Sequence, residues 1–311
     1  LSTVAALCAS HTPLKDYRSP GAEIEAEVAA CFDEVKSWVA DFAPDLLVVI
    51  GPDHFNGFFY AMMPGFCIGA AAEGIGDWKT PRGALPVDAG IAERCVRTLQ
   101  RDGVDPALSY RMMVDHGCTQ IIDQLFDWNA CPDVLPVFVN CVAPPLPPLE
   151  RVVAFGTSLG RFLNTIKRRV LIIGSGGLSH DPPVPALADA PPPVRERLIM
   201  GGELSPEARN ERQQRVLDEA AKQASGTGDR TPLNPEWDQQ FIASLIAGDY
   251  AGVCTMSDDG ITRDAGCGGH EIRTWIAASA AATAAGAGDA RLRYYRPISE
   301  WIAGYGVLSI A

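Results

Sequence analysis

Apolar residues recur along this chain with two different periods, and the change of period marks its elements. Leu46 to Ile50 form an unbroken apolar run that predicts a buried strand, stopped by Gly51 and Pro52. Shorter runs predict strands at Val4–Cys8, at Val134–Val139, from Val170 into Gly174, and at Leu292–Tyr295. A further strand is expected over 107–113. Elsewhere the spacing is helical. Ile24, Val28, Phe32, Val35, Val39 and Phe42 share one face of a helix over 23–41. Similar stripes place helices at 88–101, around Ile121–Phe126, at 149–166, 206–224 and 236–248, and from His270 onward. The helix at 206–224 is so charged that most of its face is expected in solvent.

Three stretches lack a clear period. Residues 57–83 are aromatic and glycine-rich, 181–192 are proline-rich, and 258–269 read as a polar, glycine-rich loop. The last segment, 300–311, is too apolar for a free tail and should cover core or an interface. Strands alternating with helices point to an α/β fold. The expectation is a single domain spanning 1–311, with a central mixed or mostly parallel β-sheet flanked by helices, opening on a right-handed βαβ unit.

Composition narrows the function classes. The 311 residues are 47% hydrophobic and 21% charged, enough for a sizeable core. A formal charge of −12 without a Lys/Arg block argues against nucleic acid as a partner. No apolar run approaches membrane-spanning length, and no secretory leader pattern stands at the start, so cytoplasmic residence without membrane contact is the default expectation. Nine scattered cysteines without a close CxxC pair read as buried thiols of a reducing compartment.

All five histidines, His11, His54, His116, His180 and His270, fall at transitions between predicted elements. Groups just past the carboxyl ends of parallel strands face the ligand crevice of an α/β fold. Two imidazoles and a carboxylate can hold a non-haem iron with open positions. Asp53, Asp115, Asp181 and Glu271 all lie beside histidines, so spacing alone does not select the carboxylate. For any one histidine, a packed and hydrogen-bonded turn residue is the plainer reading. HExxH is absent, which disfavours a helical zinc-protease site.

The residues around these histidines resemble a known family. Cys8-Ala9-Ser10-His11-Thr12-Pro13-Leu14, Pro52-Asp53-His54-Phe55-Asn56-Gly57-Phe58-Phe59-Tyr60, Val114-Asp115-His116-Gly117 and Gly174-Ser175-Gly176-Gly177-Leu178-Ser179-His180 occur in order. Leu233-Asn234-Pro235-Glu236-Trp237-Asp238, His270-Glu271-Ile272 and Tyr294 through Gly304 complete the series. The chain looks like the class III extradiol ring-cleaving dioxygenases, in the 2,3-dihydroxyphenylpropionate 1,2-dioxygenase group. That resemblance implies Fe(II) held by His11, His54 and Glu271. It implies an acid/base pair, His116 and His180, with His180 favoured as base and the reverse assignment open. Asp53, Asn56, Asp115 and His270 are then candidates for orienting the ligands.

The implied reaction is cleavage of 3-(2,3-dihydroxyphenyl)propanoate by dioxygen to a 2-hydroxy-6-oxo-nona-2,4-diene-dioate, in a homo-oligomer. Alternatives are the same cleavage on another catechol, a gallate-like ring or a hydroxypyridine, or a non-catalytic metal-binding structural protein. Arg18, Lys79, Arg82 and Arg111 are candidate partners for the substrate carboxylate, and the aromatic stretch 58–66 for the ring.

Overall fold

The computed structural model describes residues 3–311. The chain runs through β1 (Thr3–Ala9), α1 (Ala22–Phe42), β2 (Leu46–Gly51), β3 (Phe66–Gly69), β4 (Ala72–Ile75), β5 (Arg82–Ala84) and α2 (Ala89–Arg101). Next come β6 (Ala107–Ser109), β7 (Met112–Val114), α3 (His116–Leu125), β8 (Asp133–Val139), α4 (Leu149–Leu163) and β9 (Arg169–Ser175). The remainder is mostly helical: α5 (Pro192–Met200), α6 (Pro206–Ser225), α7 (Pro235–Ala247), α8 (Tyr250–Val253), α9 (Asp258–Ala265) and α10 (Ile272–Ala285), closed by β10 (Ala290–Ile298) and β11 (Ala303–Ile310).

Eight strands form one mixed sheet in the order β10-β11-β1-β9-β2-β8-β3-β6. Its centre, β1-β9-β2-β8, is parallel throughout. Antiparallel pairings join β11 to β1, β10 to β11 and β3 to β8. β1 and β2 run the same way, as a βαβ unit requires, but β9 is inserted between them. The sheet has two dry faces, because alternate side chains leave a strand on opposite sides. Val4, Ala6, Cys8, Leu46, Val48 and Ile50 belong to one core cluster. Ala5, Leu7, Ala9, Leu47 and Val49 belong to the other.

The segments without a clear period hold most of the departures from expectation. Residues 57–83 contain β3, β4 and the start of β5; β4 pairs with β5 and β7 in a separate three-stranded sheet. The strand expected over 107–113 is two, β6 and β7, and they join different sheets. The loop expected at 258–269 is largely helix α9, started by Ser257, whose Oγ accepts from the Gly260 N–H. Its short length, with only Ile261 and Ala265 as an apolar pair at helical spacing, hid it. Residues 303–310, by contrast, meet the expectation of core cover: β11 is buried along its whole length.

Helix α10 carries Glu271 at its start and is buried on all sides from Ile272 to Ala282. That requires a close neighbour. Gly156 and Gly160 of α4 supply it, since a Cβ at either would strike the backbone carbonyls of Ala277 or Ala281. Gly160→Ala is therefore expected to push α4 off α10 and cost about 1–3 kcal/mol of stability, read as a lower urea midpoint at an unchanged m-value.

Candidate active site

The central strands deliver their following residues to one end of the sheet. Ser10 and His11 follow β1, Pro52-Asp53-His54 follow β2, and the 176–180 turn follows β9. The chain bends at once after β2, with Phe55 in the left-handed region at φ 55°. His116 comes from the small sheet instead, at the first turn of α3. Glu271 arrives from a 3₁₀ turn, Cys267–Glu271, ahead of α10.

Glu271 is the hub. Its Oε1 lies 3.3 Å from His54 Nε2 and 3.4 Å from His180 Nε2, and its Oε2 lies 3.7 Å from His11 Nε2. Oε2 also accepts from the Gly177 N–H at 2.8 Å. Burial opposes its charge, but His180 and His11 beside it, with hydrogen bonds from His180 and His54, hold its pKa well below the usual range. Burial likewise opposes a proton on His54, yet Asp115 and Glu271 carry it well above its ordinary value. For His11 burial wins and the pKa falls to about 3. This buried carboxylate therefore favours positive charge beside it, and a divalent cation would take the place of any protons held by the neighbouring imidazoles.

The distal nitrogens are tied down. His54 Nδ1 faces Asp115 Oδ2 at 3.0 Å, and the His54 backbone N–H donates to the same oxygen at 2.9 Å. Asn56 Nδ2 donates to that oxygen at 2.8 Å. His11 Nδ1 lies 3.1 Å from Ser175 Oγ. Both arrangements leave Nε2 directed at Glu271, and a carboxylate behind an imidazole is how proteins orient metal-binding histidines.

His116 Nδ1 bonds Asp77 Oδ2 at 2.6 Å, while the His116 N–H donates to Asp77 Oδ1 at 2.9 Å. His180 Nδ1 donates to the Leu178 carbonyl at 2.9 Å. Its ring is pressed between Gly177 and Gly268, where any Cβ would collide with the imidazole. Ser179, next to it, is gripped by the buried Asp238, which accepts from its N–H at 2.7 Å and its Oγ at 2.8 Å.

Asp53 takes the backbone N–H groups of Asn56, Gly57 and Phe58 at 2.8–3.0 Å, fixing the loop behind His54. Burial, then the charge of Asp115, raise its pKa to about 7. His270 bonds to a different set of partners. Its ring bonds Thr262 Oγ1 and Arg273 Nη1, each at 2.8 Å, and neither partner touches the other four histidines. Successive residues of a 3₁₀ turn point about 120° apart, so Glu271 turns toward the other histidines while His270, also buried, turns away from them. Sequence reading does not single out Asp77, and it includes Ser175 and Asp238 only as members of longer motifs, with no role of their own. Asp77 lies in the aromatic stretch 57–83, 39 residues from its histidine, and no local signal connects the two.

His11, His54, His116, His180 and Glu271 open on one cavity of about 610 Å³, lined also by Phe55, Trp78 and Trp301. The aromatic stretch 58–66 contributes no side chain to that lining. Phe58 stacks on Phe138 at 3.9 Å, and Phe59, Tyr60 and Met63 pack with Leu198. Arg18, Lys79, Arg82 and Arg111 are likewise not among the lining residues. Arg18 donates to the Leu217 carbonyl and Lys79 to that of Asp16. The arginines lining the cavity are Arg197, Arg212, Arg215 and Arg230.

His11, His54 and His116 present donor atoms within 4.8 Å of one another, as do Asp77, Asp115 and His116. All three histidines of the first set cannot serve one ion. A metal lies in the plane of each imidazole it binds, about 2 Å from nitrogen. His54 and His116 are stacked, with centroids 4.4 Å apart and planes at 19°, so their lone pairs do not converge. His11 and His54 are near perpendicular at 86° and can share an ion with Glu271.

Fold and site together define an α/β protein with a buried histidine–carboxylate centre suited to a divalent metal. The chain belongs to the family described as the catalytic LigB subunit of aromatic ring-opening dioxygenase, whose pattern it matches over residues 5–306. It is a ring-cleaving extradiol dioxygenase acting on a catecholic substrate. The 2,3-dihydroxyphenylpropionate/2,3-dihydroxicinnamic acid 1,2-dioxygenase of Cupriavidus pinatubonensis is 48% identical over 301 residues, covering 97% of this chain and 96% of that one. The enzyme of the same name from a Rhodococcus species is 46% identical over 303 residues, covering 97% and 96%. A crystal structure of an uncharacterized protein from Escherichia coli K12 shares the fold, with TM-score 0.53, 14% identity and 99% coverage of both chains.

Asp115→Asn is expected to weaken metal retention about 10–100-fold, measured by competition with a chelator. Asp77→Asn should lower kcat by about 10²-fold or more while leaving metal content near that of the parent protein.

Proposed function

We propose that His11, His54 and Glu271 hold Fe(II), and that His116 and His180 move protons on a bound catechol during its extradiol cleavage. The observation that carries this reading is the meeting of one buried carboxylate with His11, His54 and His180 at the end of a parallel sheet, with His116 against the same cavity. Two neutral imidazoles and one carboxylate are the donor set of non-haem Fe(II) centres that keep positions open. Bound Fe(II) supplies a place for catechol and dioxygen side by side and a route for electron density between them.

The protein's own groups supply position and protons. A carbonyl can only accept, so His180 Nδ1 carries a proton toward Leu178 and exchange runs through Nε2. Asp77 commits His116 Nδ1 in the same way, which leaves its Nε2 for the substrate side. His180, nearer Glu271, serves as the base that takes a catechol proton. His116 serves as the acid that returns one to oxygen as the ring opens. A structural metal site would need the ligands but would have no use for two further imidazoles pinned at Nδ1.

For substrate, we infer 3-(2,3-dihydroxyphenyl)propanoate or its alkenyl relative, cleaved to a 2-hydroxy-6-oxo-nona-2,4-diene-dioate or the corresponding triene. The activity for which relatives at 46–48% identity are named supports this, as does a cavity with both aromatic and arginine lining.

Anaerobic loading with Fe(II), followed by 3-(2,3-dihydroxyphenyl)propanoate and oxygen, should produce a yellow ring-fission product carrying both atoms of the dioxygen, while apo-protein and the zinc form stay inactive. His116→Gln and His180→Gln should each lose about 10²–10⁴-fold in kcat yet keep iron. Iron loss in both would place them among the ligands and refute the division of roles.

A further inference from the structure

Four arginines line the cavity, and three of them are already committed. Arg230 pairs with Asp181 at 3.7 Å and Glu219 at 4.0 Å, and donates to the Pro182 carbonyl. Arg212 donates to the His54 carbonyl at 2.6 Å and to Asn56 Oδ1 at 3.4 Å, bracing the loop behind the metal-facing histidine. Arg197 donates to the Phe55 carbonyl at 3.0 Å and lies over the Phe59 ring. Arg215 has no hydrogen bond or ion pair with any described residue, although it borders the same cavity.

Its place on α6 is informative. Ala208, Glu211, Arg212, Arg215 and Val216 line the cavity together, at the spacing of a single helix face. Arg215 lies three residues beyond Arg212, about 5–6 Å away at Cβ for such a pair. It is exposed, so it stands toward the mouth while Arg212 stands toward the histidines. Arg197, Arg212 and Arg215 form no ion pair among the described residues, and the one carboxylate of α6 in the lining, Glu211, bridges to none of them. Arg197 also keeps a buried Nε with no partner. Burial first, and then the neighbouring arginines, lower the hold of Arg197 and Arg212 on their protons, and cations set side by side favour an anion among them.

We infer that Arg215 binds the side-chain carboxylate of the substrate, with Arg212 and Arg197 adding to the positive field along the same wall. This rests on the propanoate reading above and assigns that reading's anionic group to a residue. A carboxylate leaving water for an aromatic-lined cavity needs a charged donor, and Arg215 is the lining arginine with all its N–H groups uncommitted. It makes Arg215 a specificity residue that touches the substrate tail and takes no part in the oxygen chemistry.

The test compares the iron-loaded enzyme on 3-(2,3-dihydroxyphenyl)propanoate and on 3-propylcatechol, a neutral analogue with the same ring and chain length. The parent protein should prefer the acid. Arg215→Gln should reduce the acid-to-neutral ratio of kcat/KM about 10- to 100-fold, chiefly through KM for the acid, and Arg215→Lys should restore part of it. Iron content and melting temperature of each variant separate a binding effect from misfolding. An equal loss on both substrates, or an unchanged ratio, would overturn the assignment while leaving the substrate reading intact. A parent protein that does not prefer the acid would instead defeat the propanoate reading, and the Arg215 assignment with it.

Discussion

A carboxylate with 2% of its surface exposed cannot stay ionised without nearby positive charge. Glu271 meets that constraint with His54 and His180 at Oε1, both of which hold a proton more tightly for its presence, while His11 stands at Oε2, and much of the surrounding architecture keeps this arrangement possible. Helix α10 brings the carboxylate in from the far end of the chain, and it can lie so deep only because Gly156 and Gly160 let α4 approach its backbone. Parallel strands β1, β9 and β2 lie side by side, so the turns after them open on the same side of the sheet. The active centre is thus a consequence of layer packing as much as of the residues that touch one another.

The parts legible in the sequence were those with a long period or a dry environment. The runs at 46–50 and 170–174 read directly as core strands, and the stripe from Ile24 to Phe42 as a helix. The ordered motifs around the histidines, read as a family resemblance, pointed to the residues that the fold then gathered round Glu271. What escaped were short elements and distant pairings. β6 and β7 hold three residues each, too few for a period, and α9 has only Ile261 and Ala265 as an apolar pair. Asp77 is tied to His116, and Asp238 to the turn before His180, by contacts that only the folded sheet brings about.

The charged face of α6 shows a different limit. By pattern alone, Glu211, Arg212 and Arg215 are what a solvated helix presents. A water-filled cavity lined with charge gives the same periodicity as bulk solvent, because both reward polar side chains on the same face. The sequence candidates for an anion partner lay near the histidines in the chain, whereas the arginines of the cavity come from helices far beyond them. Arg212 makes the distinction plain: it is half-buried and reaches back over 158 residues to the His54 carbonyl.

Four imidazoles of one residue type lie together here, and their distal nitrogens distinguish their duties. A histidine whose Nδ1 rests on a carboxylate becomes a stronger electron donor at Nε2, which favours a metal. The same contact also stabilises an imidazolium, which favours a proton shuttle. Asp115 behind His54 and Asp77 behind His116 are therefore chemically alike, and the difference lies in where each Nε2 points. His54 stands near perpendicular to His11, so both lone pairs can converge on an ion beside Glu271. His116 is stacked on His54, so their lone pairs do not converge, and of the two it is His54 whose Nε2 reaches Glu271, at 3.3 Å. In the division of roles proposed above, ring orientation, set by the backbone N–H of His116 and its side chain both binding one aspartate, is what would keep His116 from serving as a fourth ligand and leave it to handle protons.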